Sequence, residues 1–434
     1  MMMRRQKNSN ETACMMKGAG KLRQLFLMAL IITVICVMTA GSVSAEPMEG
    51  PAQFDNLDSR GASVIEANTN TYLYGKNGDK KFYPASTTKV LTAITVLENA
   101  KDLDKVTTVS DNAVNGIDPS SSHIALDVGE KVTIRQLLYG LILCSGNDCA
   151  VALAEEVGGS IKDFAKMMND TAQKIGATNS HFVNPHGLYS KQHYTTPNDL
   201  AKIMSYCIKN DQFVEILKTI KFVIPKTNKS KKRELWNNHR LIKYKYKYYK
   251  GVVGGKTGYI DESGFNLITY AKRGDLDIIT VCMRASGMSA IDDDTIRLLN
   301  RYLKKYHLDT VKAKDAPEAK KKLEDKNVNA GLEKDITVVL PKSATASDVK
   351  IEESFSENVK LPLKEGQTVG AVKCVFNNKP VGEGALVSKD DYETRQQTMT
   401  RKIAIGAGCA LALVLVLIIV WRVRKKNKDQ GSKA

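Results

Sequence analysis

Residues 403–421 are nineteen consecutive residues without a charge. At about 1.5 Å per residue, a helix of that length spans about 28 Å, the depth of a bilayer's hydrocarbon core. A segment so long and so uniformly apolar does not belong on the surface of a soluble domain. Arg422, Arg424, Lys425, Lys426 and Lys428 follow at once, and a basic flank of this kind stays on the cytoplasmic side. We therefore expect a transmembrane helix over 403–421 and a cytoplasmic basic tail over 422–434. The other end of the chain agrees. Lys17, Lys21 and Arg23 lead into an apolar run over 25–40, and Val43-Ser44-Ala45 places small residues ahead of Glu46. This is the layout of a cleavable export signal over 1–45. The body between the two ends is expected outside the cytoplasm, on a membrane crossed once.

The net charge of +17 raises the question of a nucleic-acid partner. Its distribution answers it. Residues 1–45 carry six Lys/Arg against one Glu, and residues 422–434 carry six against one Asp. Each flank thus holds +5, leaving about +7 for the body, a balance suited to an anionic wall or membrane surface. No nucleic-acid partner is expected. Of the eight cysteines, Cys14, Cys36 and Cys409 lie in the leader or membrane segments. The remaining five (Cys144, Cys149, Cys207, Cys282 and Cys374) are odd in number and widely spread, so they read as buried thiols rather than a disulfide framework. A helical path between Cys144 and Cys149 would hold their Cα atoms too far apart to bridge. No CxxC pair and no HExxH segment occurs, and the six histidines show no ligand spacing, so neither metal nor cofactor is expected.

The exported body divides by pattern. Strands at 61–66 and 71–75 precede a helix opening at Pro84-Ala85-Ser86. Further helices follow at 133–143, at 148–156, at 160–175 behind Ser160 as cap, and from Pro197 behind Thr196. The pattern then returns to strands at 251–257, 265–272 and 276–284, closed by an amphipathic helix at 291–306. Strands early and late with helices between predict an α/β (α+β) catalytic domain over 46–310, its sheet built from both chain ends beside a helical lobe. Residues 311–330, rich in Lys and Glu, read as a solvated linker. A small all-β domain over 331–390 follows, with a hairpin turning at Asn377-Asn378, and a second linker over 391–402 leads to the membrane helix.

Three short motifs carry the chemistry: Ser86-Thr87-Thr88-Lys89, Ser145-Gly146-Asn147 and Lys256-Thr257-Gly258. Singly each is common, and Ser347-Asp348-Val349-Lys350 repeats the first spacing in the β domain. Their order and placement give them weight. An alcohol needs an adjacent base to act as a nucleophile, and Ser86 and Lys89, three apart at a helix start, share a face. A lysine serves as that base once burial and neighbouring cations lower its pKa. Ser145 and Asn147, in a loop between helices, are suited to relaying a proton and holding a substrate amide. Lys256 and Thr257, ending a strand at the sheet edge, are suited to a substrate carboxylate. Such an edge also pairs with an extended peptide.

In this order the motifs resemble the signature of penicillin-binding proteins, and most closely the low-molecular-mass D-alanyl-D-alanine carboxypeptidases. Pro84–Lys89, Ser145-Gly146-Asn147-Asp148 and Gly255-Lys256-Thr257-Gly258-Tyr259 carry the resemblance. Asn184-Pro185-His186-Gly187-Leu188 and Thr196-Pro197-Asn198-Asp199-Leu200 support it, over roughly residues 50–305. The resemblance implies a penicillin-binding/β-lactamase-like fold and a bacterial cell membrane. It implies cleavage of the terminal D-Ala from peptidoglycan stem pentapeptides through an acyl-Ser86 intermediate, with β-lactams as covalent inhibitors. Lys89 would be the base, and Lys256 and Thr257 would hold the terminal carboxylate. The backbone N–H groups of Ser86 and of Tyr259, just after Gly258, would form the oxyanion hole. Ile260 departs from the family's usual hydroxyl residue. No glutamate motif of the class A β-lactamase kind is found, which argues against a β-lactamase. The motifs leave a D,D-endopeptidase, a transpeptidase or a non-catalytic wall-binding protein as alternatives. The Lys/Tyr run over 243–250 reads as a solvated loop.

Overall fold

The structure is a computed structural model describing residues 56–243 and 246–431. The expected signal peptide over 1–45 lies outside the described residues, as do positions 244 and 245 of the Lys/Tyr run. The chain enters the core as an antiparallel pair, β1 (Gly61–Glu66) and β2 (Thr71–Lys76). A 3-10 turn over Ala85–Thr88 runs directly into α1 (Lys89–Asn99). The helical lobe follows as α2 (Ile134–Leu143), α3 (Asn147–Gly158), α4 (Ile161–Ile175), α5 (Pro197–Cys207) and α6 (Asp211–Lys218). Two small hairpins intervene, β3 (Val106–Thr108) with β4 (Lys131–Thr133), and β5 (Lys221–Ile224) with β6 (Arg233–Trp236). The helix starts follow from local chemistry. Thr133 makes a reciprocal capping box with Gln136, while Ser160 and Thr196 accept from the backbone N–H groups of Asp163 and Asp199. Each cap satisfies a donor that a bare helix end would leave unpaired.

The strands β7 (Val252–Ile260), β8 (Gly264–Arg273) and β9 (Leu276–Ala285) complete an antiparallel sheet in the order β2-β1-β9-β8-β7. The sheet is thus assembled from both ends of the domain, as expected. In β9 every residue except Arg284 is buried, because α5 and the long α7 (Met288–Lys305) both pack on it. Leu73, Tyr74, Ile278, Leu298 and Tyr302 lie at the centre of this core, none of them accessible to solvent. One boundary is corrected here. The third motif does not end a strand, since β7 continues past Lys256 and Thr257 to Ile260. The strand is nevertheless the sheet edge.

A second domain begins at β10 (Tyr306–Val311), which pairs with β13 (Ile336–Pro341). The other strands are β11 (Ala319–Leu323), β12 (Lys326–Leu332), β14 (Lys350–Phe355), β15 (Thr368–Phe376) and β16 (Lys379–Ser388), ordered β11-β12-β16-β15-β14. Residues 311–330 are therefore not a linker. In β11 the lysines Lys320 and Lys322 face solvent while Ala319 turns inward, and Val328 and Ala330 of β12 are fully buried. A strand whose inner face needs only small side chains hides its apolar pattern under a lysine-rich composition. The expected hairpin is present, with Asn377 and Asn378 at φ 49° and 62°, the left-handed pair that a two-residue turn demands. Residues 391–402 are also not wholly a linker, because α8 (Arg395–Gly431) is helical from Arg395. Its apolar span has a mean hydropathy of 3.0 and no part of it is buried in the protein. That fits a membrane anchor.

Candidate active site

Ser86 sits in the 3-10 turn that precedes α1, and neighbouring groups hold that turn in a costly shape. Ala85 has φ +48°, a left-handed conformation that costs a residue with a Cβ about 1–3 kcal/mol. Asn266 of β8 donates through Nδ2 to the carbonyls of Tyr83 and Pro84 at 3.0 and 3.2 Å. Thr87 donates its hydroxyl to the Pro84 carbonyl at 2.7 Å. Two glycines let other chain segments close on the turn. A Cβ on Gly258 would lie 3.0 Å from the Ser86 nitrogen, so β7 passes directly against the Ser86 turn. A Cβ on Gly187, where φ is +89°, would lie 1.9 Å from the Ala85 carbonyl oxygen. Gly187→Ala must therefore displace the Ser86 turn. We expect acylation by a β-lactam to slow by about 100-fold, since about 1 Å of misplacement costs that much. Stopped-flow acylation checks this, and a near-normal rate would show that the turn does not depend on Gly187.

Lys89 is fully buried. Its Nζ donates to Ser86 Oγ at 2.9 Å, to Asn147 Oδ1 at 2.6 Å and to the His186 carbonyl at 2.8 Å. Hydrogen-bond accounting assigns the roles. Carbonyl oxygens only accept, so a neutral amine must spend both its N–H bonds on Asn147 and His186. The remaining lone pair faces Ser86 Oγ, which alone of the three carries a proton to give. Burial, and then the positive charge of Lys256, push the Lys89 pKa well below its ordinary 10.5. Burial likewise brings Lys256 down to about 7. Two neutral imidazoles lie beside Lys89. Burial and the Lys89 charge hold His186 at about 3, and burial holds His193 at about 3. His193 is fixed by Thr88 Oγ1 at 2.8 Å and by the Val183 N–H.

The second motif is held by a separate loop. Asn147 Nδ2 donates to Ser121 Oγ at 2.9 Å, and the Asn147 N–H donates to the Ser122 carbonyl at 2.7 Å. Asp148 keeps that loop in place, accepting from the N–H groups of Ile124 and Leu126. Glu130 and Arg233 form an ion pair in which both side chains are almost inaccessible, and Arg233 also donates to the Ala125 carbonyl at 2.6 Å. Ser145 is buried in the turn between α2 and α3 with φ +63°. Among the described residues no hydrogen bond joins it to Ser86 or Lys89.

The structure thus brings Ser86, Lys89 and Asn147 into direct contact and packs Gly258 on Ser86. Buried Lys256 donates to the Thr257 carbonyl at 3.0 Å. Thr257 lies half-buried on the edge strand, whose other side has no strand partner among the described residues. The Tyr259 side chain turns outward, donating to Asp261 Oδ1 at 2.8 Å and packing on Phe265. Four contributors went unassigned in the sequence: the His186 carbonyl, Ser121, Asp148 and Asn266. The segments holding Asp148 and His186 carry part of the resemblance, but no periodicity marks a backbone carbonyl as a ligand. Of the cysteines read as buried thiols, Cys144 is only partly buried, and Cys144 and Cys149 are both free. The second S-x-x-K spacing has no such site, since Ser347 bonds Thr345 and Lys350 pairs with Glu352.

Residues 48–287 match the family described as D-alanyl-D-alanine carboxypeptidase, and residues 306–394 match the penicillin-binding protein 5 C-terminal domain. The D-alanyl-D-alanine carboxypeptidase DacF of Bacillus subtilis is 31% identical over 342 residues, covering 77% of this chain and 86% of its own. Penicillin-binding protein 5 from Haemophilus influenzae superposes with a TM-score of 0.66 at 26% identity, over 77% of this chain and 98% of that one. The Streptomyces K15 DD-transpeptidase superposes with a TM-score of 0.53 at 32% identity, over 56% of this chain and 97% of that one.

Proposed function

The chain belongs to the D-alanyl-D-alanine carboxypeptidase family and is a serine-type carboxypeptidase, and from that premise we propose how its own residues perform the reaction. The terminal carboxylate of a peptidoglycan stem peptide sits on the Lys256 ammonium and the Thr257 hydroxyl. The peptide pairs with the open edge of β7. Its scissile carbonyl oxygen lies between the backbone N–H groups of Ser86 and Tyr259, aimed at the developing oxyanion. Neutral Lys89 takes the Ser86 proton as Oγ attacks the carbonyl carbon. The C–N bond then breaks, the proton passes to the leaving amine with Ser145 as relay, and D-Ala departs. Asn147 holds both Lys89 and the substrate amide. Water resolves the acyl-Ser86 ester by the reverse proton route. A β-lactam acylates Ser86 in the same way, but its leaving nitrogen stays tethered, so deacylation is slow.

The observation that carries this reading is the Lys89–Ser86 contact, made by a lysine whose other two partners can only accept. Because α8 fits an anchor, we place the catalytic domain on the outer face of a bacterial membrane, within reach of the wall. The same acyl-enzyme serves transfer when an amine replaces water, as the name of the Streptomyces K15 transpeptidase implies for that protein. The test is to incubate the full chain with a pentapeptide ending in D-Ala-D-Ala and measure D-Ala release. The site of the penicillin adduct is mapped by mass spectrometry alongside. An adduct at a residue other than Ser86, or release without any adduct, contradicts the assignment.

Lys256→Met separates binding from chemistry. Losing a charge-assisted contact of about 1.5–3 kcal/mol is expected to raise KM for the peptide about 10- to 100-fold. Removing the neighbouring positive charge also favours protonated Lys89. The acid limb of the β-lactam acylation profile should therefore move to higher pH. An unmoved limb would show that the two lysines are not coupled.

A further inference from the structure

A second concave site lies away from the motifs, where α7 ends against the β domain. It is a cleft of about 370 Å³ lined by Arg301, Lys304, Lys305 and Tyr306 on one side and by Lys342 and Ser343 on the other. The backbone holds the two sides together, because the Lys342 N–H donates to the Lys305 carbonyl at 2.9 Å and Tyr306 pairs with Pro341. Lysines in a last helical turn ordinarily complement the helix carbonyls, which accounts for Lys304 and Lys305. It does not account for Lys342, which a different domain brings to the same cleft. Among the described residues no acidic side chain lines this cleft, and none pairs with Lys304, Lys305 or Lys342. Like charges gathered in a concavity concentrate a positive potential that a bound anion relieves. A tetrahedral phosphate offers oxygens in several directions and can meet the ammonium groups of Lys304, Lys305 and Lys342 together, whereas a carboxylate presents two oxygens in one plane.

We infer that this cleft binds the phosphate groups of an anionic wall polymer. The wall as source rests on the extracytoplasmic placement proposed above; the cationic cleft does not. Position argues against the lipid surface. From the cleft, β13 runs back from Pro341 to Val338, where it meets Gly382 of β16. The chain then follows β16 to Ser388, which pairs with Ala330, and on to Tyr392, whose hydroxyl accepts from the Asn329 N–H just before α8. At about 3.3 Å per residue that path of thirteen residues has a contour of roughly 40 Å, against a Debye length of about 8 Å at physiological salt. A cleft that far along the strands from α8 favours the wall polymer over the headgroups, and the vesicle comparison below tests that choice.

The test uses the full chain in nanodiscs of uncharged zwitterionic lipid, with fluorescent poly(glycerol phosphate) as the probe. The cleft variant Lys304→Gln/Lys305→Gln/Lys342→Gln is compared with a charge-matched control, Lys320→Gln/Lys322→Gln/Lys334→Gln. We expect the cleft variant to lose at least about tenfold in affinity and the control about twofold or less, with the salt dependence shallower only in the cleft variant. Inorganic phosphate should compete and polyglutamate should not. Equal losses in both variants would reduce the binding to diffuse attraction and overturn the proposal. So would equal affinity for polyglutamate, or binding seen only on vesicles containing anionic lipid. Melting temperatures report folding of each variant. D-Ala release from a soluble pentapeptide, measured on the same samples, reports the catalytic reading separately.

Discussion

Replacing Ser86 by alanine is expected to abolish penicillin acylation and to lower D-Ala release by on the order of 10⁴-fold or more. The size of the loss follows from covalent catalysis, because no other group takes over the bond that Oγ makes. The fold should be spared. The Ser86 turn is shaped by Asn266, Thr87, Gly187 and Gly258, none of which binds the Ser86 hydroxyl. One hydrogen bond, from Lys89, loses its acceptor. Circular dichroism and the melting temperature should match the wild type while the mass-spectrometric adduct disappears. Release that survives in Ser86→Ala would move the nucleophile elsewhere in the chain.

Lys89→Met should cost about 10²- to 10⁴-fold in acylation, the range for losing a positioned general base. Its stability signature is separate and depends on pH. Burial holds the Lys89 pKa well below 10.5 in the folded state, so the unfolded chain binds the proton more tightly. That penalty on the native state is fully present below the folded pKa. It fades as pH rises toward the unfolded value, because stability increases with pH wherever the unfolded chain holds more protons. Methionine titrates nothing and carries no such penalty. The melting temperature of the wild type should therefore gain on that of Lys89→Met as pH rises toward the ordinary lysine pKa of 10.5. Parallel curves would mean that Lys89 is not desolvated in the native protein, and the base assignment would lose its electrostatic support.

The legibility of the chain followed the range of the interactions involved. Caps at Ser160 and Thr196 were readable because side chain and target lie three residues apart. The hairpin at Asn377-Asn378 was readable because few residues tolerate positive φ. The β11–β12 hairpin was not, since lysine dominates β11 and only Ala319 of that strand is buried. Ser347 and Lys350 repeat the spacing of Ser86 and Lys89, yet the serine bonds Thr345 and the lysine bonds Glu352. Spacing along the chain placed a serine and a lysine on one face; it could not supply the low-dielectric surroundings that turn a lysine into a base.

Those surroundings come from parts of the chain remote in sequence. Asn147 is 58 residues from Lys89 and the His186 carbonyl is 97. Asn266 reaches the Pro84 carbonyl across 182 residues, and Gly187 and Gly258 give the room that lets both segments approach. The anchor and the three motifs in order, hence the class of reaction, are local or linear properties, legible before folding. Which serine has a base, and which proton that base can take, depends on two acceptors that exclude every donor except Ser86. Acceptors act over about 3 Å, so only the folded chain decides who is that near.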